Sequence, residues 1–323
     1  MKKVKSILKS PLLIVITFVL PLFITCEDSR QDNFPELDHD GPYIENSIYF
    51  GRGDYIEYHS GSLPIILSVP HGGWMDPTEI PNRTQGITEI DTNTYQLTKT
   101  IMDTLAARFG GKPHVILCLL KRLKLDVNRE ELEAAEGNIY GERAWAEYHH
   151  YLDIAKELVT VNHGSGIVFD IHGHGENPDG FYDLRTWLGY LIKGDELDLP
   201  DEELITNAFK NKSSIRVLAD SSAYTFINIV RGPTSFGTIL DSLGYACVPS
   251  VNDLGPAGSR YFSGGYITVR HGSRDGGIIS AVQVELPQPG IRDTEENWSS
   301  YASAFATAVG SYYFHHLGRS IQP

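Results

Sequence analysis

Cysteine is scarce in this chain: three residues in 323, at positions 26, 118 and 247. Cys118 and Cys247 both sit in apolar runs, VILCLL and YACVPSV, which argues for buried free thiols and against a disulfide scaffold. Positive charge is also short, with 27 Lys and Arg against 41 Asp and Glu and a net charge of −14. Lys2, Lys3, Lys5 and Lys9 all precede residue 26 with no acid among them, so the remainder is more acidic still. A field of that sign repels phosphate backbones and excludes nucleic acid as a partner. No period of 20–50 residues is present, which excludes a solenoid or propeller. The one sustained apolar run, Pro11–Thr25, is shorter than the roughly 20 residues a membrane span needs. Gly-x-Ser-x-Gly is missing too; Gly164-Ser165-Gly166 is only a fragment of it, so a Ser-His or paired-carboxylate hydrolase of esters or glycans ranks last.

Glycine and proline, by contrast, are plentiful at 31 and 17 residues, alongside 41% hydrophobic and 21% charged residues. That balance suits a loop-rich α/β protein, and the length is enough for a substantial core. Residues 1–26 read as an export signal: four lysines, an apolar run, then Cys26 followed by Glu27 and Asp28. The arrangement resembles a bacterial lipoprotein processing site, although Phe23-Ile24-Thr25 lacks the usual small residue before the cysteine. Cys26 is therefore expected to carry lipid and tether the protein to a membrane outside the cytoplasm, in the periplasm or at the cell surface. Residues 27–48 are polar and read as a flexible tether, leaving 49–323 as a single folded domain.

Within that domain, apolar runs bounded by glycine predict strands at Pro64–Val69, His114–Leu120, Gly166–Ile171 and Ala281–Leu286. Shorter strands are expected at Thr225–Val230, Ala246–Val251 and Gly264–Val269. Helical spacing predicts helices from Asp91 or Thr92 to Arg108, over Glu142–Val161, Glu202–Lys210 and Thr234–Leu243, and over Trp298–His315. Alternating strands and helices imply an α/β fold with a mixed, mainly parallel central sheet flanked by helices.

Two strands end in histidine and glycine: PIILSVPHGG with His71, and GIVFDIHGHG with His172 and His174. In open α/β sheets ligands are held at such C-terminal strand ends. Two imidazoles delivered there form the nucleus of a metal site, and a hydrolytic zinc takes a third ligand from His, Asp or Glu. Glu89, Asp91 and His174 are the candidates, Asp91 doubling as a plain helix cap. On a regular strand, Asp170 shares the face of His172 and is placed to orient that imidazole. Asp126-Val127-Asn128-Arg129, with Arg122 four residues earlier, offers an amide and bidentate cations suited to a carboxylate, though Asn128 is also a good helix cap. Glu285 lies inside the apolar AVQVEL. It is either a buried functional acid or part of an edge strand with Gln283 facing solvent.

Taken in order, VPHGG, Ile90-Asp91-Thr92, KRLKLDVNR, DIHGHG, GGYITVRHG and VQVEL resemble the N-formylglutamate amidohydrolase family, a branch of the zinc-dependent exopeptidases. Gly72 stands where that family often has serine, and the export signal departs from a cytoplasmic role. The resemblance implies one zinc ion held by His71, His172 and an acid near Asp91, with Glu285 as general base and acid. It also implies that Asn128 and Arg129 bind the substrate or transition state. The expected activity is hydrolysis of an N-acyl amino acid or short peptide, with Arg129 and either Arg122 or Arg270 holding a substrate carboxylate. A non-catalytic, lipid-anchored binding protein that keeps the fold is the alternative.

Overall fold

The computed structural model describes residues 34–177 and 180–323. The expected export signal and Cys26 lie outside the described residues. Among those described, no helix is long and apolar enough to cross a membrane. The main compact unit spans Glu36–Pro323. Residues 36–48, expected as tether, belong to it. Tyr43 donates to Asp40 at 2.8 Å and lies 3.1 Å from His150, and Tyr151 donates to Asp40 at 3.1 Å.

Among the described residues, eight strands form one sheet: β1 (Ile48–Phe50), β2 (Ile56–His59), β3 (Ile65–Val69), β4 (His114–Cys118), β5 (Gly166–His174), β6 (Thr186–Gly189), β7 (Cys247–Val248) and β8 (Ile279–Pro287). Their order is β1-β2-β4-β3-β5-β8-β6-β7. The four central strands β4, β3, β5 and β8 run parallel. β1 and β2 add antiparallel strands at one edge, and β6 pairs antiparallel with β8 at the other side. Strands buried on both faces explain the near-continuous apolar runs that made β3, β5 and β8 legible.

Side-chain alternation sends Leu67, Phe169 and Val282 to one face, where the helices Thr94–Phe109 and Glu295–Leu317 cover them. Ile66, Val168 and Ala281 go to the other, under the helix Ile139–His163. Burying a Leu- or Phe-sized side chain contributes about 1.5–3 kcal/mol, so these two cores fix the register of the central strands. Cys118 and Cys247 are buried free thiols.

Three local expectations are corrected. Thr225–Val230 contains a helix, Phe226–Arg231, not a strand; the Thr225 hydroxyl accepts from the Asn228 amide and starts it. Gly264–Val269 likewise runs into a helix, Tyr266–His271, whose Thr268 hydroxyl accepts from the Gly265 amide at 2.9 Å. In both, side-chain capping and tertiary burial override β-branched propensity. The first long helix begins at Thr94, after Asn93 in the left-handed region (φ 65°), so Asp91 does not cap it with its side chain.

Candidate metal centre

Four segments meet at the C-terminal end of the parallel strands. His71 follows β3, Asp91 lies in the loop before Thr94–Phe109, His172 is on β5, and Glu285 on β8. The Asp91 amide donates to the His71 carbonyl at 3.0 Å, which locks those two segments together. Because Asn93 turns the chain, the Asp91 carboxylate is free of the helix start and instead accepts from the Gly173 amide at 3.0 Å.

His71, Asp91 and His172 are buried and form a cluster able to hold a metal ion. His71 Nδ1 and His172 Nδ1 lie 3.2 Å apart, and Asp91 Oδ2 is 3.4 Å from the first and 3.3 Å from the second. Each imidazole has its other nitrogen on a carboxylate. His71 Nε2 is 2.7 Å from Asp126 Oδ1, and His172 Nε2 is 2.9 Å from Asp170 Oδ2. Carboxylates in that position fix ring orientation and leave Nδ1 aimed at the cluster. Asp170 takes the role read for it in the sequence, since β5 continues regularly through His174. Asp126, read only as part of a carboxylate-gripping motif, was missed as the partner of His71. Its position after β4 in KRLKLDVNR was the one available signal.

The supporting network is closed. Ser68 donates to Asp170 Oδ1 at 2.7 Å, and Arg122 Nε donates to Asp126 Oδ2 at 2.9 Å. Burial alone would raise the Asp126 carboxyl, but the His71 ring and the arginines nearby hold it well below the usual range. For Asp91, the same opposition of burial against His172 and His71 ends in a depressed carboxyl. Burial works against protonation of His172, yet Asp170, Asp91 and Glu285 together raise it.

Glu285 stands beside this cluster, in register with His172 across the β5–β8 pairing. It lies on a central strand, which removes the edge-strand reading, and Gln283 Nε2 donates to it at 2.8 Å. Burial pushes its carboxyl up to about 7, opposed by His172 and reinforced by Asp91. A carboxyl there is poised to exchange a proton near neutral pH.

A cavity of about 530 Å³ opens over these groups. Asn128, Arg122 and Arg129 line it. Asn128 Nδ2 is 3.4 Å from His172 Nε2, and its Oδ1 accepts from the Ile267 amide at 2.9 Å. A Cβ on Gly265 would come within 2.4 Å of the Asn128 amide, so glycine is required there. The loop carrying Asp126 and Asn128 is braced from behind. His149 Nε2 donates to the Val127 carbonyl at 3.1 Å, and His149 Nδ1 is 2.9 Å from His271 Nε2. Sequence reasoning missed this buried pair, because nothing local joins residues so distant in the chain.

The remaining candidates fall elsewhere. Arg270 does not line the cavity; it lies 3.4 Å from Asp153 and stacks over Trp145 at 5.2 Å. Glu89 is exposed at the cavity wall, with its carboxylate on the Thr88 amide. His174 is held by the Arg185 carbonyl at 3.0 Å and stacks on Trp187 at 3.8 Å, outside the cluster. Arg292, not singled out from the sequence, ties the site together: it donates to the carbonyls of Leu286, His174 and Thr92.

No family model matches the sequence, and no curated protein matches it. Among solved structures, the fold is similar to an N-formylglutamate amidohydrolase from Ralstonia eutropha JMP134, with a TM-score of 0.50 and 12% identity over 84% of this chain and 99% of that one. A gene product of Agrobacterium tumefaciens aligns over 80% of this chain and 94% of its own, with a TM-score of 0.45 and 10% identity. The catalytic domain of an N-acetylmuramoyl-L-alanine amidase from Bacillus (Paenibacillus) polymyxa var. colistinus aligns over 78% and 98%, with a TM-score of 0.32 and 12% identity. The likeness to the Ralstonia eutropha protein is one of fold: a mixed, mainly parallel sheet between helices.

Proposed function

We propose that the protein is a zinc-dependent amidohydrolase acting on an N-acyl amino acid or short peptide outside the cytoplasm. The observation that carries this reading is the triangle of His71 Nδ1, His172 Nδ1 and Asp91 Oδ2, with edges of 3.2–3.4 Å. Nitrogen and oxygen donors about 2.0–2.1 Å from a tetrahedral zinc stand about 3.3–3.4 Å from one another, so the donor set and its spacing fit that ion. Two imidazoles and one carboxylate also leave a fourth position open, as hydrolytic sites require.

A bound zinc supplies Lewis acidity, bringing a water's pKa down to about 7. The chain's own residues do the rest. Glu285 accepts the proton of the attacking water and returns it to the departing nitrogen. Its place beside His172 across the β5–β8 pairing puts it within the site for both halves of that task. Asp126 and Asp170 hold the imidazoles in place through the nitrogens that face away from the cluster. Asn128, 3.4 Å from His172, and Arg129 line the cavity and would bind the acyl oxygen as it gains charge. The substrate reaches the site outside the cytoplasm because lipid on Cys26 tethers the protein to a membrane.

The test is zinc content by elemental analysis together with release of amine from N-acyl amino acids and peptides, in wild type and His172→Ala. Stoichiometric zinc and turnover in the wild type, both lost in the variant, are expected. Tight ligand binding without zinc or turnover would instead support a binding protein that keeps the fold. Palmitate labelling abolished by Cys26→Ala tests the tether; labelling that persists rejects it.

A further inference from the structure

Four arginines line the cavity: Arg122, Arg129, Arg260 and Arg292. Two of them are held by buried partners, and a third, Arg129, is partly engaged and is assigned above to the acyl oxygen. Arg122 lies between Asp126 and Asp91, at 2.9 and 3.9 Å. Arg129 lies 3.0 Å from Glu133 and donates to the Asn128 carbonyl. Arg292 is buried on three backbone carbonyls. Arg260 differs: it is exposed, and among the described residues it has no ion pair. Its guanidinium sits over the ring of Phe262, 4.9 Å from the centroid.

That seat is built. Phe262 also lines the cavity and packs edge-on against Trp187, with centroids 5.6 Å apart. Trp187 is fully buried, stacked on His174 and hydrogen-bonded through Nε1 to Asp183 at 3.2 Å. A guanidinium lying on an aromatic face keeps its edge donors free, in the planar fork that grips a carboxylate bidentately. Glu89 and Glu176 line the same cavity, so a cation is needed there to hold a negative group.

We propose that Arg260, held on Phe262, is the anchor for a free carboxylate of the substrate, and that the substrate is a short N-acyl peptide ending in that carboxylate. This rests on the amidohydrolase reading and offers an anchor other than the sequence-based expectation of Arg129 with Arg122 or Arg270. The cavity, at about 530 Å³, falls in the range that encloses ligands larger than a single formylated amino acid.

Calorimetry on the full-length, zinc-loaded protein, with Glu285→Gln in every sample so that bound probes are not cleaved, tests the anchor; wild type then refers to position 260. The probes are N-acetyl-alanine, N-acetyl-dialanine and N-acetyl-trialanine, each as the free acid and as the terminal amide. At one or more lengths the acid binds at least tenfold tighter than the amide to the wild type. In Arg260→Gln that ratio collapses toward one, and Arg260→Lys restores only part of it, because an ammonium lacks the fork. Zinc content of both variants reports an intact centre. Equal affinity of acid and amide for the wild type at every length, including no binding of either, overturns the proposal. So does a preference that survives in Arg260→Gln. An acid preference that depends on Arg260, in a protein that with Glu285 restored hydrolyses none of the probes, would leave the anchor standing and reject the amidohydrolase reading.

Discussion

His172 and Glu285 are register partners on adjacent parallel strands, so one strand pairing sets a candidate metal ligand and a candidate proton carrier side by side. Glu285→Gln keeps the shape and removes only the proton exchange. Turnover is expected to fall by about 10²–10⁴, the usual contribution of a general acid–base group, with zinc content unchanged. Unaltered turnover would remove Glu285 from the mechanism.

The carboxylates behind the two imidazoles give a second expectation. Asp126→Asn and Asp170→Asn should each weaken zinc binding by about 10–100-fold, without removing a ligand. Competition against a chromophoric chelator measures this directly. Affinities equal to wild type would mean that the rings are oriented by packing alone.

Gly173 is tested by its neighbour. A Cβ there would lie 2.3 Å from Arg292 Cζ, and Arg292 has no room to retreat from its three carbonyls. Gly173→Ala should cost about 1–3 kcal/mol, as overpacking does, read as a lower midpoint in urea. An unchanged midpoint would show that Arg292 is free to move.

His114 carries a pH dependence remote from the cluster. Burial pushes its pKa down from 6.5 to about 3, helped by His163. The ring is neutral when folded: Nδ1 accepts from the Gly61 amide at 3.2 Å and lies 2.9 Å from the Tyr58 hydroxyl. The unfolded chain binds a proton below about pH 6.5 that the folded chain refuses, so this stabilisation is present above 6.5 and lost as pH falls toward 3. The slope contributed is about 1.4 kcal/mol per pH unit for one proton. His114→Asn should flatten the fall in unfolding free energy across that window. A fall as steep as in wild type would refute the assignment.

Much of this arrangement was legible in the chain, for identifiable reasons. Long apolar runs ending in His-Gly marked β3 and β5, because strands covered on both faces leave little choice of residue. Glu285 had two readings until β5 and β6 were found on either side of its strand. Phe226–Arg231 and Tyr266–His271 were misread because six residues are too few to show a period, and their β-branched content pointed to strand. Asp91 is open in the sequence to two uses, ligand or cap; only the left-handed Asn93 reveals that its carboxylate turns away from the helix. The His149–His271 pair and the seat of Arg260 on Phe262 depend on tertiary packing, which no local pattern encodes.

Arg292 anchors the ends of β5 and β8 and the loop just after Asp91 to one guanidinium, and its own carbonyl accepts from Asn93. A cation binding at His71, Asp91 and His172, if the cluster holds one, would therefore meet donors already in place. Little chain entropy is lost on loading, so metal uptake should leave the backbone almost where it was. Whatever adaptation the protein makes to different ligands then falls to the exposed rim around Arg260, not to the floor beneath it.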